Sequence, residues 1–169
     1  MSGLRSACSA PFISSSASDV EPVTAIHRRV IACRAGADPT LVTRMPSGWA
    51  VMGDPQVLRG YCLLLPDPVV PHLNEIPSEA QSAFLADMAR LGQAVLELTG
   101  AVRINYAIFG NVEPALHAHV LPRFAAETEA MRTANPWGYD WNNARRFDAD
   151  RDGALLAALR ERLQPARLS

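Results

Sequence analysis

The most regular pattern of apolar and polar positions lies between residues 78 and 99. Apolar side chains recur there at steps of three and four residues, which places them on one face of a helix: Phe84, Leu85, Met88, Leu91, Val95 and Leu98. Ser78 and Gln81 have the spacing of a capping box, and Gly100 suits the left-handed conformation in which many helices end. The pattern therefore predicts an amphipathic helix over residues 78–99.

Segments with the pattern of β-strands stand on both sides of this helix. Residues 41–52 predict a hairpin that turns at residues 46–48 (Pro-Ser-Gly), and the apolar run at 59–65 predicts a buried strand. After the helix, residues 102–109 and 115–124 predict two further strands. This order of elements favours an α+β fold built on an antiparallel sheet.

The first part of the chain differs in composition from this middle part. Residues 1–20 are rich in serine and lack periodicity, so they are predicted to form a flexible tail. The domain itself is predicted to span residues 21–130. Its first segment, residues 23–34, fits either a short helix or an edge strand.

Residues 131–169 are predicted to form a C-terminal extension. It begins with a polar stretch that contains Trp137 and Trp141, and a helix is predicted from about residue 152 to residue 163. The two tryptophans fit a cover over a site, a dimer surface or simple packing equally well.

The overall composition is that of a globular domain. Hydrophobic residues make up 49% of the chain, charged residues make up 20%, and the formal net charge is -1. The charge balance provides no broad attraction for nucleic acid, and no apolar run approaches the ~20 residues that cross a membrane. We therefore expect neither nucleic acid nor membrane as a partner.

All 16 Lys+Arg positions are arginine. The absence of lysine excludes a P-loop lysine and a Schiff-base lysine, so phosphate must be bound by arginine, histidine, backbone amides or a metal. The three cysteines, Cys8, Cys33 and Cys62, contain no C-x-x-C pair, which argues against a disulfide framework. We therefore expect the protein in the cytoplasm.

The segment ALHAHVLPR at residues 115–123 contains two of the four histidines. Side chains alternate along a strand, so His117 and His119 would lie on one face, roughly 6.5–7 Å apart. Burying two imidazoles among apolar neighbours costs free energy unless a polar group forms hydrogen bonds with them. The histidine pair is therefore the candidate for chemistry.

The residues alone leave three hypotheses open for this pair. The histidines could simply face solvent on the surface of the sheet. They could bind zinc, with a third ligand drawn from His27, His72, Asp54 or Glu113. Alternatively, one imidazole could attack a phosphorus atom, since an unprotonated ring nitrogen is a nucleophile at neutral pH.

The same segment resembles the signature of the histidine triad (HIT) superfamily, His-φ-His-φ-His-φ-φ with φ apolar, often followed by Pro-Arg. Residues 116–123 match the signature, and Ala115 stands in place of the first histidine. The upstream segments INYAIFGNVEP (104–114) and GYCLLLP (60–66) are also similar to the family. The resemblance covers roughly residues 40–124.

The resemblance implies a HIT-like antiparallel sheet with the amphipathic helix packed on it, in a homodimer. It implies a nucleotide hydrolase or nucleotidyl transferase that needs neither a metal nor a cofactor. His117 would attack the α-phosphorus and form a nucleotidyl-histidine intermediate, and His119 would contact the phosphate oxygens. The partner would be a small nucleotide.

The resemblance also assigns residues that would bind the nucleotide. Asn105 would donate to it, the turn at Gly110 and Asn111 would contact phosphate oxygens, and Asp54 would accept from the ribose hydroxyls. Two departures, Ala115 and residues 67–70 (Asp-Pro-Val-Val), remove positive charge from the phosphate site. They favour a mononucleotide ester or phosphoramidate over a long dinucleoside polyphosphate, and they leave open a module that binds nucleotides without catalysis.

Overall fold

The computed structural model of the chain describes residues 23–164, so the predicted tail at residues 1–20 lies outside the described residues. Two short 3₁₀ turns, Leu73–Glu75 and Pro136–Gly138, accompany the regular elements. The helices are α1 (Ala25–Arg34), α2 (Ser78–Thr99), α3 (Glu129–Thr133) and α4 (Ala149–Leu163). The strands are β1 (Leu41–Met45), β2 (Gly48–Met52), β3 (Cys62–Pro66), β4 (Arg103–Ile108) and β5 (Ala118–Arg123).

The five strands form one antiparallel sheet in the order β1-β2-β3-β5-β4. The hairpin of β1 and β2 turns where the sequence predicts it, with Met45 opposite Gly48. β5 is the last strand in the chain, yet it lies between β3 and β4, so it is an inner strand of the sheet. The predicted α+β fold with an antiparallel sheet is confirmed.

One face of the sheet is covered by α2 and α4. Ala118 and Val120 of β5 face this layer, where they join a core that includes Phe84 and Leu91 of α2 and Leu159 of α4. All five side chains are buried because each comes from the apolar stripe of its element. The helix that ends the predicted extension is therefore part of the central core.

The other face of the sheet packs against α1. Ile26, Val30 and Cys33 of this helix meet side chains of β2, β3 and β5, among them Leu65 and Leu121. Thr24 caps the helix and His27 completes a capping box, which explains why residues 23–34 form a helix and not an edge strand. His119 belongs to this second face, because it alternates with Ala118 and Val120.

The predicted capping box at the start of α2 is wrong. Pro77 is the N-cap residue, and Ser78 makes no side-chain capping bond. The Gln81 amide instead donates to the carbonyl oxygen of Ile76 at 3.0 Å. The other end of α2 agrees with the prediction, since Gly100 has a φ of 69° in the left-handed region.

None of the helices within residues 23–164 combines the length and the apolar character that a membrane crossing requires.

Candidate active site

His117 lies in the last position before β5, at the end of the loop that leaves β4. The predicted strand at 115–124 is therefore too long at its start. The main-chain N–H of Leu116 donates to the carbonyl of Val70 at 2.7 Å and holds this loop against the turn that follows β3. The His117 side chain is only 8% exposed.

The orientation of the His117 ring is set by one hydrogen bond. Its Nδ1 lies 2.7 Å from the carbonyl oxygen of Ala115. A carbonyl oxygen only accepts, so Nδ1 carries the proton in this contact. In the neutral ring the lone pair is then on Nε2, which is the atom available for nucleophilic attack.

This hydrogen bond does not depend on the side chain at position 115. The acceptor is the backbone carbonyl, which every residue supplies, and Ala115 itself is 1% exposed in the core beside α1. The orientation of His117 is therefore independent of which side chain stands at position 115.

A second anchor for the loop comes from Glu113. Burial opposes its charge, but hydrogen bonds from Thr24 and from the backbone N–H groups of Ile26 and Ala25 hold the pKa of Glu113 below its usual range, and His117 adds a smaller effect in the same direction. A carboxylate at a helix N-terminus is stabilised by the free N–H groups there. The loop before His117 is thus tied to the start of α1.

His119 lies in contact with His117, and the two ring centroids are 4.8 Å apart at an interplanar angle of 68°. Burial, and then the charge that His117 can take, lower the pKa of His119 to about 4. His119 is therefore an uncharged ring with a single N–H at neutral pH.

Tyr61 contacts His119 in two ways. The phenol oxygen lies 2.6 Å from Nδ1 of His119. The two rings are stacked, with their centroids 5.9 Å apart and an interplanar angle of 10°. Burial raises the pKa of Tyr61 far above its usual range, so the hydroxyl keeps its proton. Tyr61 was not among the predicted site residues, although it lies in the segment at 60–66 that is similar to the family.

Two further aromatic rings, those of Trp137 and Phe109, contact His119, and a third, that of Trp141, packs behind them. Trp137 meets it edge-on at 5.1 Å and Phe109 lies 6.1 Å away. Trp141 stacks on Trp137 at 5.5 Å and touches Tyr61 at 5.3 Å. The tryptophans of the C-terminal segment are therefore part of the surroundings of the histidine pair.

Asn105 lies on β4, on the same face of the sheet as His119. Ala107 is directly opposite His119 in the register, and Asn105 is two residues further along the strand. The Oδ1 atom of Asn105 accepts from Arg123 at 2.8 Å, so its NH₂ group is the end left for other contacts.

The other predicted binding residues lie at different places. Gly110 and Asn111 are exposed in the loop between Phe109 and His117. The Asp54 carboxylate pairs with Arg146 at 2.8 Å, and its carbonyl accepts from Phe147. Both of these Asp54 contacts within residues 23–164 go to the segment before α4.

The candidate third metal ligands are engaged elsewhere. His27 is part of the cap of α1, and His72 pairs with Glu75 at 2.8 Å on the surface. Over residues 23–164 no three His, Cys, Asp or Glu side chains are grouped so that they could hold a metal ion.

Residues 47–126 match the family model described as HIT domain. Among solved structures, a histidine triad protein from Bradyrhizobium japonicum is 21% identical, with a TM-score of 0.66 over 78% of this chain and 95% of that chain. A hypothetical histidine triad nucleotide-binding protein from Sulfolobus tokodaii is 14% identical, with a TM-score of 0.61 over 78% of this chain and 87% of that one.

A Zn-bound histidine triad family protein from Mycobacterium smegmatis is 22% identical, with a TM-score of 0.53 over 77% of this chain and 91% of that chain. No curated protein is detectably similar to the chain in sequence. The solved structures agree with the sheet and helix arrangement described above.

Proposed function

We propose that this chain, whose residues 47–126 match the family model described as HIT domain, is a nucleotide hydrolase or nucleotidyl transferase that acts at an α-phosphate. The observation that supports this most directly is the hydrogen bond from Nδ1 of His117 to the carbonyl of Ala115, which leaves Nε2 as the nucleophile. The name of the Sulfolobus tokodaii protein, which includes nucleotide binding, agrees with a nucleotide as the substrate.

The proposed reaction has two steps. Nε2 of His117 attacks the α-phosphorus, a P–N bond forms, and the bond from phosphorus to the leaving group breaks with its electron pair on the leaving atom. Water or another acceptor then attacks the same phosphorus, the P–N bond breaks, and the electron pair returns to Nε2. The acceptor loses a proton to solvent, so hydrolysis releases a nucleoside monophosphate.

His119 supports this reaction as a neutral hydrogen-bond donor. With Tyr61 donating to Nδ1, the single N–H of His119 is on Nε2. This N–H is available to phosphate oxygens, on which negative charge grows in the transition state. An uncharged imidazole can do this without carrying a buried charge between turnovers.

We further propose that the predicted binding residues act as the resemblance implies. Asn105 would donate its free NH₂ group, Gly110 and Asn111 would contact phosphate oxygens, and Asp54 would accept from ribose hydroxyls. The Asp54 carboxylate is already paired with Arg146. To bind the ribose hydroxyls, it must therefore either leave Arg146 or accept hydrogen bonds from Arg146 and the ribose at the same time.

We also propose a cytoplasmic homodimer. The outer edge of β4 is not paired with another strand within residues 23–164, so it is open to a second copy of the chain. Cys33 and Cys62 are buried free thiols, which suits a reducing compartment such as the cytoplasm.

The test is the variant His117→Ala, assayed with adenosine and guanosine phosphoramidates and with dinucleoside polyphosphates. We expect turnover to fall about a thousandfold or more, because a covalent nucleophile is lost. Mass spectrometry of the intact protein should detect a nucleotidyl adduct on the parent protein and none on the variant. His72→Ala, which removes an exposed histidine, is the matched control and should retain activity.

Two results would reject this function in favour of an alternative. Nucleotide binding by calorimetry without product after long incubation would indicate a non-catalytic module. Stoichiometric zinc in the purified protein, together with loss of activity on chelation, would indicate the metal-dependent hydrolase. Turnover in His117→Ala equal to that of the parent protein would end the assignment of the nucleophile.

A further inference from the structure

The loop that leads from β4 to His117, residues 110–116, is mostly exposed and makes few hydrogen bonds with other elements. Its main chain is held at one end by the bond from Leu116 to the carbonyl of Val70. Its side chains are held through Glu113, whose carboxylate contacts α1. Over residues 23–164, Glu113 is the one side chain of this loop that forms hydrogen bonds with another element.

The Glu113 carboxylate lies at the N-terminus of α1. It accepts from the main-chain N–H of Ile26 at 3.4 Å, and Ala25 and Thr24 contribute further hydrogen bonds. The first turn of α1 contains no acidic side chain of its own. Free N–H groups and the positive end of the helix dipole favour a carboxylate at this place. Glu113 therefore supplies, from 87 positions further along the chain, the negative charge that the first turn of α1 lacks.

Pro114 makes the connection between Glu113 and Ala115 stiff. A proline ring fixes its own φ, and it restricts the residue before it to extended conformations. A Glu113 carboxylate that is fixed on α1 therefore also restricts where the Ala115 carbonyl lies. That carbonyl is the group that holds Nδ1 of His117 at 2.7 Å, so the anchor on α1 acts on the orientation of the His117 ring.

The charge of Glu113 also acts on His117, because the carboxylate and the imidazole are close enough to interact electrostatically. In the proposed reaction Nε2 forms the P–N bond while Nδ1 keeps its proton, so the ring of the intermediate carries a positive charge. A fixed carboxylate nearby stabilises that charge. When the P–N bond breaks, the electron pair returns to Nε2 and the ring is neutral again.

We propose that Glu113 is a positioning residue for the nucleophile. Its carboxylate holds the loop on α1, the loop places the Ala115 carbonyl, and this carbonyl selects the His117 tautomer that has its lone pair on Nε2. The same carboxylate favours the cationic ring of the nucleotidyl intermediate. The effect on the rate rests on the proposed function, whereas the effect on the tautomer belongs to the protein without substrate. The resemblance assigns Glu113 no role.

The test compares Glu113→Ala with Glu113→Gln, with adenosine 5′-phosphoramidate as the substrate. In Glu113→Ala we expect kcat to fall about a hundredfold with little change in KM, because the nucleophile is misplaced while the groups that bind substrate remain. NMR of the His117 ring nitrogens in the substrate-free protein should show a mixture of neutral tautomers in place of one. Glu113→Gln keeps an oxygen acceptor and loses the charge, so it should keep the single tautomer and have an intermediate kcat.

Glu79→Ala is the matched control, because it removes an exposed carboxylate from the first turn of a different helix, α2. It should leave kcat and the His117 tautomer unchanged. A single His117 tautomer in Glu113→Ala, an unchanged kcat, or a rise in KM alone would overturn the proposal. If Glu113→Ala does not fold, Glu113→Gln decides: a lower kcat at an unchanged KM supports the role, and an unchanged kcat rejects it.

The two conclusions can fail separately. If the parent protein turns over no nucleotide, the proposed function fails, and the tautomer alone decides the role of Glu113. Mixed His117 tautomers in Glu113→Ala beside a single tautomer in Glu79→Ala then support the positioning role. One tautomer in both variants rejects it.

Discussion

At the scale of single residues, the most informative contact is that between Tyr61 and His119. The Tyr61 hydroxyl stays protonated and lies 2.6 Å from Nδ1 of the uncharged His119 ring, and we infer that it donates to that nitrogen, because within residues 23–164 the hydroxyl has no other hydrogen-bond partner. A hydroxyl that donates to Nδ1 selects the tautomer with its N–H on Nε2. Tyr61 therefore acts as a positioning residue for His119.

Tyr61→Phe keeps the stacked ring and removes only this hydrogen bond. We expect kcat to fall about tenfold while KM changes little, because the hydroxyl orients a neighbour and does not itself bind substrate. NMR of the His119 ring nitrogens should show a mixture of tautomers in place of one. Tyr106→Phe, which removes a hydroxyl on the opposite face beside Gly92, is the control. An unchanged tautomer in Tyr61→Phe would contradict this role.

At the scale of elements, a buried ion pair holds the segment after β5, residues 124–141, against the sheet. Arg123, 6% exposed, binds the carboxylate of Glu127 and donates to the carbonyl of Ala134 at 3.0 Å. Tyr139 donates to the same carboxylate at 2.5 Å. Burial opposes the charge, but these hydrogen bonds hold the pKa of Glu127 below its usual range. The pair thus keeps the segment with Trp137 against the sheet.

Glu127→Gln leaves the Arg123 guanidinium buried without its charge partner. We expect the free energy of unfolding to fall by about 3 kcal/mol, the usual cost of breaking a buried ion pair from one side. Urea denaturation measures this loss, and hydrogen exchange should become faster over residues 128–141. Glu129→Gln, at an exposed position of α3, is the control and should shift the unfolding midpoint very little. Equal stability of the two variants would show that the pair does not fasten the segment.

At the scale of the whole molecule, α4 packs against β1 and α2 and completes the core on that face of the sheet. Leu155, Leu156, Leu159 and Leu163 are all buried against this layer. Arg145 also pairs with the buried Asp152 at 2.7 Å and fixes the start of the helix. The boundary between a domain at 21–130 and an extension at 131–169 remains a prediction. The cooperativity of unfolding tests it, because a separable extension would unfold in a transition of its own.

Leu159→Ala creates a cavity between α4 and α2, because Leu159 is 0% exposed. We expect a loss of about 3 kcal/mol in the free energy of unfolding, typical of a large-to-small change in a core. The protein should still unfold in one transition, followed by both circular dichroism and tryptophan fluorescence. Leu85→Ala, at a position of α2 that is 40% exposed, should cost far less. Two separate transitions would instead support a separable extension.

Most of the regular elements and the fold class follow from local sequence patterns, whereas local sequence leaves α1 open between helix and strand and does not predict α3. Local periodicity and turn residues specify the hairpin, the long helix and the strands, because these depend on neighbours a few positions away. The sequence also pointed to His117 and His119, since two imidazoles two residues apart are visible without a fold.

The groups that surround the histidine pair follow from the fold and not from local sequence. Tyr61 reaches His119 across 58 positions of the chain, and Trp137 arrives from a segment beyond β5. Such contacts depend on strand order and packing, which no local pattern encodes. The same holds for Arg123: the local pattern fits a strand end, and only the fold buries it against Glu127.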